Sequence, residues 1–170
     1  MQSHIARFKQ MKPLSQTFLD SRIPGHEKDI YSVIGANVQQ DPGNVTPAIQ
    51  PDGFNVAYAG AESGNGAALH DHETVEVFIP MSGSWLISWG DAGEHETVLE
   101  QWDCFAVPPG VMRAFKNIGD DYAVIMAITG GTDAGKITWA QQVVAQAEKT
   151  GLRMDKDGNL IDTEMAGAVD

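Results

Sequence analysis

What this sequence holds little of narrows it before any motif is read. Cysteine occurs once, at Cys104, so a disulfide within the chain is ruled out and the lone thiol is expected to pack inside as a small apolar residue. Basic residues number 11 against 23 acidic ones, and the formal charge of -12 repels a phosphate backbone, which argues against nucleic acid as a partner. Apolar residues make up 42% of the chain but are dispersed. No stretch approaches the roughly 20 consecutive apolar residues of a membrane helix, so no membrane partner is expected. The segment from Met1 to Phe8 carries His4 and Arg7 without a continuous apolar core or a small-residue cleavage site. Together with the single cysteine, this predicts a cytoplasmic protein.

No internal repeat is visible, and 170 residues suit one domain. Ile5, Phe8, Met11 and Leu14 recur at intervals of three and predict a short helix, and Ile30 to Val38 predicts a strand. Pro42, Gly43, Pro47, Pro51 and Gly53 then punctuate the chain. Beyond them short apolar or alternating runs follow one another: Phe54 to Tyr58, Val75 to Pro80, Ser84 to Trp89, Thr97 to Leu99, Cys104 to Val107, Met112 to Lys116 and Tyr122 to Thr129. Many short strands separated by turns predict an antiparallel sandwich or barrel. Met81 to Gly83 and Asn117 to Asp121 read as hairpin turns, and Tyr122 to Ile128, apolar on both faces, as a central strand. Trp139 to Glu148 predicts one helix, with Thr138 as N-cap and Gly151 as C-cap. Asp157-Gly158 predicts a hairpin turn before a short strand from Asn159 to Ile161. The expected layout is an arm over 1–53 packed on a barrel over 54–130, with a C-terminal helix and hairpin over 131–170 in the same domain.

His70, His72 and Glu76 stand at even spacing, so on one extended strand their side chains leave the same face while Val75, Val77 and Ile79 leave the other. Two imidazoles and a carboxylate are the donor set of many non-haem iron sites and equally suit zinc or manganese. The surrounding residues sharpen this. Gly64, His70, His72, Glu76 and Gly83 fall at the spacing G-x5-H-x-H-x3-E-x6-G, which closely resembles the first motif of the cupin family. Pro108, Gly110 and Asn117 resemble part of the second, P-x-G-x2-H-x3-N, with Trp102 where the family usually has Gly and Arg113 where it usually has its last metal-binding His.

The resemblance covers about residues 54 to 130. It implies an all-β, cupin-type antiparallel barrel, a jelly roll, with the site inside one end, often assembled as a homodimer. The Trp-rich strand Ser84 to Trp89 and the N-terminal arm, as sources of apolar surface, also suggest a homodimer. The implied cofactor is a divalent metal, Fe, Mn, Zn or Ni, on His70, His72 and Glu76. Arginine has no lone pair to offer, so Arg113 cannot be a ligand. Three readings follow. The metal is kept and Arg113 acts as a catalytic residue that clamps a carboxylate or phosphate of the substrate. Alternatively the metal is lost, Arg113 pairs with Glu76, and the pocket binds a small molecule unaided. In the third, the pocket is vestigial and the histidines are core residues. The first points to an oxygenase, lyase or isomerase acting on a small organic acid, an iron-type oxygenase ahead of the others because the donor set resembles a facial triad; a metal-free binding or regulatory module is the alternative.

Two motifs fail on inspection. Gly130 to Lys136 fits G-x4-G-K, but Ile137 follows where a phosphate-binding loop needs Ser or Thr. Asp155, Asp157 and Asn159 open like a calcium loop, but Gly158 is out of place and Ala166 sits where the bidentate Glu belongs. His95, in a polar stretch, is expected at the surface.

Overall fold

The computed structural model describes residues 1–36, 40, 46–50, 53–132 and 135–163. Its strands run in chain order as β1 (Asp29–Ile34), β2 (Phe54–Ala61), β3 (Gly66–His72), β4 (Glu76–Pro80), β5 (Trp85–Trp89), β6 (His95–Leu99), β7 (Phe105–Val107), β8 (Arg113–Asn117), β9 (Ala123–Gly130) and β10 (Ile137–Trp139). One helix, α1 (Gln141–Glu148), and a hairpin, β11 (Leu152–Met154) with β12 (Leu160–Asp162), follow.

Alternation drives this arrangement. On β4 Glu76, Phe78 and Pro80 are buried; on β5 it is Trp85 and Ile87, and on β8 Arg113, Phe115 and Asn117, with less buried residues between them. Burying such faces against each other yields two five-stranded sheets, ordered β1-β2-β9-β4-β7 and β10-β3-β8-β5-β6, with antiparallel pairing between every pair of neighbouring strands. β9 lies in the middle of its sheet, where a strand apolar on both faces belongs. Phe78 and Phe115 meet across the sheets at 5.4 Å, and Trp85 and Phe115, on neighbouring strands, at 5.7 Å, both edge-on. Trp85 and Ile87 are therefore interior, so they supply no surface for a second copy.

The turns differ from expectation in what they join. Met81–Gly83 and Asn117–Asp121 do not close hairpins; each carries the chain from one sheet to the other, because β4 and β5, like β8 and β9, belong to different sheets. Gly83 suits such a crossing: its φ is 68°, and a Cβ there would stand 2.6 Å from the Ala123 Cβ. The barrel also reaches beyond residues 54–130, since β1 pairs with β2 and β10 with β3.

The N-terminal helix is replaced by two 3-10 turns, Gln2–His4 and Phe8–Gln10, neither with a buried residue. A short amphipathic segment with no face to bury has little to stabilise it. In the run from Ile30 to Val38, β1 ends at Ile34, and residues 37–39 lie outside the described residues. The C-terminal helix starts after Trp139, which pairs with His70 in the sheet, and its N-cap is Ala140, not the expected Thr138. Val143 and Ala147 form its buried side. The hairpin turn at Asp157-Gly158 forms, with its second strand one residue later than expected. Cys104 is exposed, in the loop before β7, so it is not the packed interior residue that its isolation suggested. His95 is exposed as expected. Ala166 lies outside the described residues. No helix among the described residues is long and apolar enough to cross a membrane.

Candidate functional site

His70 and His72 sit near the end of β3, and Glu76 opens β4. These strands belong to opposite sheets, so the three side chains converge across the sandwich and do not share one strand face, as their even spacing suggested. A shift of register in β3 between Ala67 and His70 helps: it lets Ala67 and His70, of opposite parity, both line the same cavity. His70, His72 and Glu76 are all buried, and one donor atom from each lies within 4.8 Å of the others. Gly110, with φ of 72°, brings its N–H to the His72 carbonyl at 2.9 Å and so ties the second motif to the first.

Hydrogen bonding orients the imidazoles. His70 Nδ1 lies 2.7 Å from the Ala68 carbonyl, which can only accept, so Nδ1 carries the proton and Nε2 keeps its lone pair. Burial, reinforced by the nearby Arg113 charge, holds the His70 pKa well below its ordinary value, so this ring is neutral at pH 7. His72 Nε2 stands 3.5 Å from Glu76 Oε2, while its Nδ1 is buried with no partner.

Arg113 leaves β8 on the same inward face as Phe115, as expected, but it does not reach the cavity. At 1% exposure its guanidinium lies against Glu76, donating from Nε at 3.0 Å and from Nη2 at 2.6 Å, both to Oε2. Nη1 donates to the Val111 carbonyl at 3.3 Å. The structure thus has the Arg113–Glu76 pair of the second sequence reading, not a clamp exposed to substrate. Burial pushes the Glu76 carboxyl up to about 8 and Arg113 down to about 10. With both guanidinium bonds on Oε2, Oε1 is the oxygen left to carry a proton or to meet a cation.

The triad forms one wall of a cavity of about 70 Å³, room for several waters or a compact organic molecule. Alanines make the space: Ala57 and Ala59 on β2, Ala67 on β3 and Ala127 on β9. Phe115 closes it off from the aromatic core, and Trp139 stands 5.3 Å from the His70 ring. Two polar residues of the lining, Lys28 and Thr129, carry no signal in the sequence pattern. Lys28 precedes β1, far from the motifs, and Thr129 is one of several threonines; only its register opposite Glu76 brings it to the site.

A divalent ion fits these donors. His70 already has the arrangement of a metal ligand, with one nitrogen donating to a backbone carbonyl and the other free to coordinate. His72 has an unpartnered nitrogen in the interior, and Glu76 has one oxygen not engaged by Arg113.

Solved structures share this fold. A cupin 2 domain-containing protein from Halorhodospira halophila matches with a TM-score of 0.53 at 15% identity, over 84% of this chain and 83% of that one. A proposed sugar phosphate isomerase from Acidithiobacillus ferrooxidans matches with a TM-score of 0.61 at 16% identity, over 96% and 94%. An oxalate oxidase matches with a TM-score of 0.53 at 20% identity, over 79% and 64%. This chain spans only 53% and 59% of the length of two DMSP lyases that it also resembles. At such identities the likeness shows the fold, and the protein is a cupin-type antiparallel jelly roll. No family model matches the chain, and no curated protein matches it in sequence.

Proposed function

We propose that the protein holds a divalent metal on His70, His72 and Glu76 and uses it to bind and convert a small organic anion. The observation that carries this reading is the buried donor cluster with His70 locked in the coordinating tautomer. A metal held by His70, His72 and Glu76, the three donors clustered among the described residues, would supply Lewis acidity to an oxygen of the substrate. The chain's own contribution is orientation and charge. Once Glu76 is ionised, Arg113 would balance its charge, and neutral imidazole ligands add none, so a bound ion would keep its two positive charges in a largely apolar cavity. Burial of an uncompensated dication is costly, and an anionic ligand removes the cost. Oxalate and sugar phosphates, named for two of the structural neighbours, are anions of this kind. Arg113 acts as a positioning residue, fixing one carboxylate oxygen so that the other faces the ion. An oxygenase, a lyase and an isomerase all remain compatible with this arrangement, and the fold alone selects none of them.

One observation favours a second reading, a metal-free binding module. Arg113 already contacts Glu76 with two hydrogen bonds and so supplies a cation of its own. Cobalt titration separates the two. The first reading predicts visible ligand-field absorption that saturates at one equivalent and disappears in His72→Ala. A spectrum that stays that of aqueous cobalt at every addition would leave the metal-free reading.

A further inference from the structure

Opposite chemistry stands elsewhere in the cavity wall. Lys28 is 7% exposed, and its ammonium donates to Asp20 Oδ1 at 2.6 Å and to the His26 carbonyl at 3.3 Å, with the Phe18 ring 5.3 Å away. Three N–H bonds on that nitrogen leave one proton without an acceptor among the described residues. Asp20 does not line the cavity. It is wholly buried behind Lys28, and its other oxygen accepts the Ala68 N–H at 2.9 Å, so it aims the lysine without facing what the cavity holds. Lys28 also lines an outer groove with Glu27, Glu62 and Tyr122, so the same residue borders both spaces.

A second polar group in the lining is unsatisfied. Thr129 is 3% exposed, its hydroxyl has no partner, and it stands directly across from Glu76 in the β4–β9 ladder. Buried hydroxyls nearly always find a partner, and a lone one beside a cavity marks a place for a ligand atom.

We infer that Lys28, assisted by the Thr129 hydroxyl, is the specificity-determining residue of the cavity, and that the ligand is a small dianion with one anionic group at the triad and its second at the Lys28 ammonium. The inference rests on the triad being a metal site. It goes further in requiring two charges on the ligand and in naming the residue that recognises the second. A monoanion satisfies the metal but leaves the ammonium proton and the threonine unmet. A dianion satisfies all of them.

The experiment is calorimetric titration of malonate and succinate, with propionate and butyrate as monoanions of matching carbon number, into manganese-loaded protein. Wild type should bind the better dicarboxylate at least about tenfold more tightly than its monocarboxylate partner, as expected of a charge-assisted contact in the interior. Replacing Lys28 alone strands Asp20, so the variant is Lys28→Met with Asp20→Asn, which removes both charges together. It should bind both acids of a pair equally while keeping the same manganese stoichiometry. Lys28→Arg should retain the preference. Thr129→Val, nearly isosteric, should reduce the preference a few-fold and serves as the test if the double variant fails to fold. Equal affinity for the two acids in wild type, or an undiminished preference in the double variant and in Thr129→Val, would overturn the assignment. The same titrations after chelation keep the two claims apart. Failure to take up manganese, with a Lys28-dependent preference intact, would sink the metal and keep Lys28, whereas full uptake with no preference would sink Lys28 alone.

Discussion

The two ends of this barrel are built from the same alternating strands and serve opposite purposes. At one end Phe78, Trp85, Ile87 and Ile125 are wholly buried, with Phe78 meeting Phe115 across the sheets and Trp85 meeting it within one. At the other, alanines take inward positions on β2, β3 and β9, and the space they leave is bordered by His70, His72, Glu76, Lys28 and Thr129. Phe115 belongs to both, packing on Trp85 and Phe78 while forming part of the cavity wall. Side-chain volume thus divides the interior into a part that stabilises the fold and a part that is free to hold chemistry. Two internal ion pairs, Arg113–Glu76 and Lys28–Asp20, make the second part tolerable in the absence of a ligand.

The largest effect should come from the packed end. Trp85→Ala should cost about 3–5 kcal/mol of stability in urea unfolding and leave metal stoichiometry unchanged, because Trp85 does not line the cavity that holds the triad. If metal uptake were lost as well, the two ends would not be separable. Arg113→Met breaks a buried pair and should lower stability by about 3 kcal/mol. It should also weaken metal binding, since Glu76 would lose the two hydrogen bonds that hold its carboxylate in place; tighter metal binding in this variant would show that Arg113 competes for the carboxylate and does not position it. Ala59→Val fills the cavity instead of emptying the core. Its stability cost should stay at about 1 kcal/mol or less, because the added methyl groups enter existing space, while affinity for dicarboxylates falls.

The smallest effect is that of pH. Burial holds the Glu76 carboxyl up at about 8, so below that pH an incoming ion must displace a proton. Metal affinity should rise with pH and level off above 8. The metal-free protein should move the other way between the ordinary carboxyl pKa and 8, because over that interval its folded form keeps a proton that the unfolded chain has released. Melting curves with and without manganese across that range would read both trends, and parallel curves would contradict them.

Much of the site was legible because metal-donor residues at short spacing remain close in any fold. His70, His72 and Glu76 needed only the turn between β3 and β4 to converge, although the sequence pattern alone put them on one strand. Arg113 was legible as an inward residue but not as to its partner: β8 aims it into the barrel, and the distance to Glu76 depends on how two sheets pack. Lys28 was invisible, because what brings it to the cavity is the pairing of β1 with β2, a contact between segments separated by 19 residues that include several prolines. The exposed Cys104 was misjudged from its residue type. Buried cysteine is the common case, but this one falls in a loop between β6 and β7, where nothing covers it.

The central claim is that the alanine-lined end of the barrel holds a metal. Elemental analysis of protein purified without chelator, wild type beside His70→Ala, tests it most directly. The account predicts close to one equivalent of a divalent transition metal in wild type and little in the variant, with both proteins folded, since the aromatic end does not depend on the ion. Less than about a tenth of an equivalent in wild type after incubation with iron, manganese, zinc and nickel, or equal content in the two proteins, would contradict it.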